Sequence, residues 1–426
     1  MTTQEKINNV VSYLPVVGLL ALIATLPFHY GSAQRIALYW LAAAYPIDYI
    51  VNRRWRGWHW SRRNWVYVAF IAFFCLIPVW QIFDPLYTPH FAFTIEHYLP
   101  FLVIGICGIV GFTDKLRAEY VAWTMLAVSV SIIVYLLVQV GLPFGSPIEQ
   151  WTIQFNDGRR LLVNTHMVVN LYWNLTFIFC VYTLTLRRLH CAIRVLTFLF
   201  LLPVLGALFI TEGRTGLLTT CGICLSFMLY AIYRARKWWM AIFVLLFAGG
   251  MYATLQHRER FIAAVTKINP RVYIWNIAKQ QIAEKPILGY GVCSARAEFI
   301  KRGMDDEVFY NNYAHALLQE QEKLYGHSCT GVMHPHNMFL ETWTQFGIIG
   351  LLVLAACLLL PFMMHIGKEQ LYADLCVFAF AMQGCFESIG NHLPPMFLCL
   401  MVFIWERQYL SHSQSTSAQP PPKELP

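Results

Sequence analysis

His334-Pro335-His336-Asn337-Met338-Phe339-Leu340 closes the last large polar stretch of the chain and opens a long apolar run. Proline suits the first turn of a helix, because its missing N–H is an orphan there anyway. That reading puts His336 in the first turn of the following helix. Free backbone N–H groups and the positive end of the helix dipole make such a start attractive to a phosphate. A neutral imidazole beside it can take a proton from an attacking hydroxyl. The plain alternative is a histidine hydrogen-bonded at an interface. His334 and His336, with His315 or His327, also raise a metal site, but no carboxylate stands at the spacing of an HExxH pair. No metal and no cofactor are expected.

Cations accompany this histidine. Arg214 lies in Thr211-Glu212-Gly213-Arg214-Thr215-Gly216, a connection between two apolar runs too short to be a loop. An arginine at membrane depth is expensive and usually lines a site or pairs with an acid, here Glu212. A guanidinium is well shaped to clamp an anionic group in two places. Arg271 opens a stripe of Ile274, Ile277, Ala278 and Ile282, spaced as one face of a helix. Arg271, Trp275 and Ala278 share a face, and Pro286 with Gly289-Tyr290-Gly291 then breaks the helix and turns. The pattern predicts an amphipathic helix on the outer membrane surface, where Arg271 either binds substrate or is only solvated or bound to lipid headgroups. Arg159-Arg160 stand just before another apolar run and, with His334, are further substrate-binding candidates from topology and charge. Several cations, one histidine and no carboxylate pair suit a diphosphate leaving group without metal.

The elements that position these residues are membrane helices. Of 426 residues, 58% are hydrophobic and only 13% charged, about half the charged share of a soluble protein. Apolar runs long enough to span a bilayer fall at 10–29, 34–52, 65–83, 96–113, 118–142, 164–186, 195–211, 215–234, 237–255, 338–366, 371–389 and 392–409. An all-α polytopic protein of about 12 transmembrane helices is expected, one domain over 1–410, with a disordered cytoplasmic tail at 411–426. The polar start MTTQEKINN shows no cleavable signal peptide. One set of short loops holds 14 Lys/Arg and the opposite set 4, which places the first set and both termini in the cytoplasm. The loop 256–335 is then external. The net charge of +8 follows largely from this bias and does not point to nucleic acid. Cys221 and Cys224, inside a span, read as packing residues, whereas Cys293 and Cys329 in the external loop allow a disulfide.

Three pieces, in order, resemble the O-antigen ligase and polymerase family. They are Arg214-Thr215-Gly216-Leu217-Leu218; Arg271-Val272-Tyr273-Ile274-Trp275 continuing to Pro286 and Gly289-Tyr290-Gly291; and His336-Asn337 followed after nine residues by Gly347-Ile348-Ile349-Gly350. The resemblance implies the all-helical, glycosyltransferase-C-like fold of lipid-sugar-dependent transferases. It implies a metal-independent, inverting glycosyltransferase of the bacterial inner membrane, working on the periplasmic face in lipopolysaccharide biosynthesis. The donor would be a glycan on undecaprenyl diphosphate and the acceptor a sugar hydroxyl of lipid A–core. By position, His336 would be the base, and Arg214 and Arg271 would hold the donor diphosphate.

Two neighbours of this reading share donor and topology: an O-antigen polymerase and a protein O-oligosaccharyltransferase. A transporter of lipid or polysaccharide is a different class. It would place ionisable residues near mid-membrane, whereas here the polar cluster sits at a membrane mouth. The donor sugar, the acceptor hydroxyl and the oligomeric state are not written in the sequence.

Overall fold

The computed structural model describes residues 2–28, 32–84, 91–140, 166–186, 188–210, 214–236, 270–307, 310–311, 334–386 and 394–417, with isolated positions between 239 and 249. Every regular element among them is helical. In hydrocarbon each backbone N–H and C=O must be satisfied within the segment, and a helix does this alone.

The long helices are α1 (Thr3–Thr25), α2 (Ser32–Val51), α3 (Asn64–Phe83), α4 (Phe91–Val110), α5 (Ala118–Val140), α6 (His166–Thr185), α7 (Cys191–Ile210) and α8 (Arg214–Ala235). Two shorter helices, α9 (Pro270–Glu284) and α10 (Val292–Asp305), precede α11 (Met338–Leu359), α12 (Gln370–Phe386) and α13 (Pro394–Ser417). Seven of these, α1, α3, α5, α6, α7, α8 and α11, are long and apolar enough to cross a membrane. The chain is a multi-pass membrane protein. Four further expected spans coincide with α2, α4, α12 and α13. Of these, α12 has only 17 residues, and α2 and α13 carry Arg35, Asp48, Glu406 and Arg407 within their length. The ninth expected span, 237–255, lies mostly outside the described residues. Helix α13 continues to Ser417, into the segment expected to be a disordered tail.

α6 is the centre of the bundle, with 83% of its apolar window buried. Phe179 on α6 stacks on Trp405 of α13 at 4.4 Å between ring centroids, and Tyr182 and Tyr372 close the same aromatic cluster. Where helices approach most closely, glycine makes the room: a Cβ on Gly108 of α4 would lie 2.2 Å from the Tyr67 ring of α3. Several polar groups inside the bundle are paired. Tyr67 donates to Glu406, Arg407 donates to the Gly108 carbonyl at 2.8 Å, and Arg54 meets Asp48 at 2.6 Å.

The stripe expected on the surface helix is present on α9, but protein covers it. Ile274, Ile277 and Ala278 are buried with Phe299 of α10, beside Leu340 of α11. Apolar residues that find a protein partner do not need the lipid surface, so α9 docks on the bundle rather than lying bare on a membrane.

Candidate functional site

His336 stands before the helix, not in its first turn. α11 begins at Met338, and Asn337 is its N-cap, with extended backbone (φ −158°, ψ 114°). The Asn337 Oδ1 accepts the N–H groups of Phe339 and Leu340, both at 3.0 Å. Those two donors, expected to be open to a phosphate, are therefore already satisfied. The Asn337 amide also donates to the carbonyl of Cys385 at 2.8 Å, tying the start of α11 to the end of α12. Met338 packs against Gly384 in the same turn of α12, where an added Cβ would lie 2.7 Å from the Met338 methyl.

His336 is in the left-handed region, φ 47°. A non-glycine residue seldom rests there, and such a conformation at a helix mouth marks a place where the surroundings dictate the backbone. Its N–H donates to His334 Nδ1 at 3.3 Å, and the two imidazole rings lie 3.9 Å apart at 38°. The bond requires a lone pair on His334 Nδ1 and so assigns that ring its Nε2–H tautomer when neutral. His334, expected as a substrate contact, is thus also a brace for the His336 backbone.

Arg271 and Trp275 lie one turn apart on α9. The Trp275 indole donates to the carbonyl of Pro335 at 3.1 Å, the residue directly before His336. The Arg271 guanidinium lies 5.9 Å from the centroid of the Phe386 ring, at the last residue of α12. The arginine and tryptophan of this motif therefore grip the two sides of the same mouth.

Arg214 is the first residue of α8. Its side chain and the whole of Glu212 lie outside what the structure describes, as do Arg159, Arg160, His315, His327 and Cys329. The backbone that carries Arg214 is fixed two residues later. A Cβ on Gly216 would lie 2.7 Å from Asn170 of α6. Asn174 donates to the Gly216 carbonyl at 3.1 Å, and Thr220 donates to Asn174 Oδ1 at 2.9 Å. Lower down, Gly222 of α8 sits against Phe378 of α12. Gln383 of α12 reaches the Met167 carbonyl of α6 at 3.3 Å. The starts of α6, α8 and α11 and the end of α12 thus share one end of the bundle.

The two glycine motifs form one structure. Gly347 breaks α11 with φ 65° and ψ −162°. The bonds lost at the break are exchanged with the turn after α9. Tyr290 N–H donates to the Thr344 carbonyl at 2.9 Å, Gly291 N–H to the Gln345 carbonyl at 2.8 Å, and Ile348 N–H to the Pro286 carbonyl at 2.9 Å. A Cβ on Gly347 would lie 2.0 Å from the Ile287 carbonyl oxygen, and one on Gly289 2.6 Å from the Gly347 nitrogen. Non-helical backbone at membrane depth is tolerated only when neighbours satisfy it, and here turn and span satisfy each other.

Sequence reasoning missed Asp84. This residue, at the end of α3, is buried and accepts from the N–H groups of Cys293 at 2.9 Å and Ser294 at 3.2 Å, and from the Ser294 hydroxyl. It is the N-terminal cap of α10, supplied from more than two hundred positions away. No local spacing could announce it. On the outside of α9 and α10, Arg302 bonds Glu284 at 2.6 Å and Glu298 at 2.8 Å, and Tyr290 also donates to Glu284. The Arg302 bond, then the Tyr290 bond, hold the Glu284 carboxyl down at about 2. Burial, then the Glu284 carboxylate, pushes Tyr290 up to about 12.

Comparison with known proteins falls on this same region. Residues 197–355 match the O-antigen ligase family model. The stretch includes Arg214, Arg271, His334, His336 and both glycine motifs, and it bears out the resemblance carried by those motifs. A Rickettsia conorii protein named "Putative polysaccharide ligase" is 33% identical over 112 residues, 26% of this chain and 23% of that protein. A Rickettsia felis protein of the same name is 32% identical over 110 residues, with the same two shares. The similarity thus spans about a quarter of the length of these relatives.

Proposed function

We propose that the protein is an O-antigen ligase. It transfers a glycan from undecaprenyl diphosphate to a sugar hydroxyl of lipid A–core in lipopolysaccharide biosynthesis, with inversion and without metal. The observation that carries the reading is the grip of α9 on the start of α11. Trp275 holds Pro335 at 3.1 Å while Arg271 lies 5.9 Å from the Phe386 ring, which supports a site where the helix bearing Arg271 adjoins the peptide before His336. The ligase match over 197–355 supports the same chemistry.

In this mechanism the isoprenoid lies between spans and the diphosphate rests at the mouth. The acceptor oxygen attacks the anomeric carbon as the bond from that carbon to the diphosphate oxygen breaks. His336 takes the proton of the attacking hydroxyl. Arg214 and Arg271 neutralise the diphosphate that leaves on undecaprenol, and charge stabilisation of this kind is often the largest single contribution to such a rate. Arg159, Arg160 and His334 contact the substrates. The topology that goes with it has about twelve spans, both termini in the cytoplasm, and the 256–335 segment with the active site on the periplasmic face of the inner membrane.

The test is transfer in vitro with purified protein, undecaprenyl-diphosphate glycan and lipid A–core, in EDTA, beside His336→Ala. A product on lipid A–core, lost in the variant, is expected. A longer glycan still on undecaprenyl diphosphate would make the protein a polymerase, and a glycan on a protein hydroxyl an O-oligosaccharyltransferase. Absence of product from every lipid-linked donor would favour a transporter.

A further inference from the structure

The turn that follows α9 has an exposed apolar tip. Ile287 is 63% exposed and Leu288 59%, in a chain segment that otherwise docks on α3 and α11. Three carbonyls around the tip already have partners. Trp343 donates to the Pro286 carbonyl at 3.0 Å, Trp80 donates to the Leu288 carbonyl, and Gly289 N–H bonds Lys285 at 3.1 Å. Exposed apolar side chains beside carbonyls that already have partners suit the edge of a hydrocarbon layer better than bulk water. The tip is also continuous with exposed apolar residues of the adjoining spans: Val79 and Ile82 on α3, and Ile349 and Leu352 on α11. Between the tip and α3 lies a cavity of about 640 Å³ lined by Val79, Trp80 and residues 285–291.

Depth agrees. Ile348 bonds Pro286, so the tip lies level with the Gly347 break. The stretch of α11 before the break, which holds Glu341, Thr344 and Gln345, is buried in protein, whereas exposed apolar residues begin at Ile349. The tip therefore stands at the border of the lipid-facing belt. Two tryptophans, Trp80 and Trp343, mark the same level, as aromatic side chains do at membrane interfaces. Lys285, whose ammonium lies 4.2 Å from the Tyr290 ring centroid, supplies a cation on a flexible stem at headgroup height.

We infer that Ile287 and Leu288 insert among the acyl chains of the membrane leaflet that faces the site. In this arrangement α9, carrying Arg271, is held to the membrane by the turn behind it rather than by its own apolar stripe. The inference rests on the membrane reading and holds whatever substrate the site takes.

A photoreactive benzophenone amino acid at 287 or at 288, with a control at exposed Lys279 of α9, tests it in phospholipid nanodiscs. Phospholipid adducts at 287 and 288 and none at 279 are expected. Crosslinks to another segment of this chain, an absence of lipid adducts at both tip positions, or equal lipid adducts at 279 would overturn the inference. Should a substituted protein fail to fold, hydroxyl-radical footprinting of the unmodified protein in nanodiscs answers the same question. Protected Ile287 and Leu288 support insertion, and oxidised ones refute it. Transfer by the protein has no bearing on either readout.

Discussion

Trp275 and Pro335 stand sixty positions apart and share one hydrogen bond, indole N–H to carbonyl at 3.1 Å. The peptide that accepts it leads directly into His336, whose backbone is left-handed. The bond therefore sets where the imidazole stands relative to the helix that bears Arg271.

Trp275→Phe keeps the ring's bulk and removes the bond. A bond of this kind contributes about 1 kcal/mol net. Under the proposed mechanism, transfer should fall by roughly tenfold or less, and His336→Ala should abolish it. Rates of the purified variants decide, and an unchanged Trp275→Phe rate would mean that the bond does not position the base.

Gly347→Ala meets two obstacles, a φ of 65° and the Ile287 carbonyl oxygen 2.0 Å from the new Cβ. Strained backbone alone costs of order 1–3 kcal/mol, and here rigid backbone blocks relief. A large drop in thermal stability in detergent is expected. Gly206→Ala, where a Cβ meets nothing within 4 Å, should be neutral or slightly stabilising in its helix.

Asn337→Ala removes the cap of α11 and the link to Cys385 together. Loss of such a cap costs about 0.5–2 kcal/mol. Asn337→Asp keeps the acceptor and loses only the donor to Cys385. If the α11–α12 link positions His336, the aspartate variant should retain stability better than it retains transfer. Melting curves measured beside rates separate the two.

The Glu284 carboxyl is depressed, so the stability it contributes is present above its unfolded value and lost as pH falls through its folded value, about 2. Wild type and Glu284→Gln should therefore differ in melting temperature by a constant amount from pH 5 to pH 8, within about the reach of ordinary buffers. The difference should shrink below the ordinary glutamate range and vanish near the depressed value. A difference that varied across the neutral range would place the effect on another group.

Much of the site was legible because its parts are local. The helix over 270–284 follows from the spacing of Ile274, Ile277 and Ala278, and the turn after it from Pro286 and the two glycines. His336 is expected inside the first turn, because Pro335 looks like a first-turn proline and nothing local shows that Asn337 takes the capping role, whereas the helix begins at Met338. What stayed hidden is long-range. Asp84 caps α10, Gly216 nests against Asn170, and Phe386 lies under Arg271, and no periodicity links such pairs. The lipid-facing role passed from α9 to the turn behind it for the same reason: burial of a stripe depends on what folds over it.

The exchange of bonds around Gly347 also bears on how the protein is made. In its broken form the segment Met338–Leu359 leaves the Thr344 and Gln345 carbonyls and the Ile348 N–H unanswered by its own helix, and each would cost several kcal/mol if it met hydrocarbon. The broken form is therefore not self-sufficient. Residues 285–291 precede this span in the chain, so the turn is already made when the span takes its break. The kink is a joint product of turn and span, and deletion of residues 285–291 should leave Met338–Leu359 without its native bend.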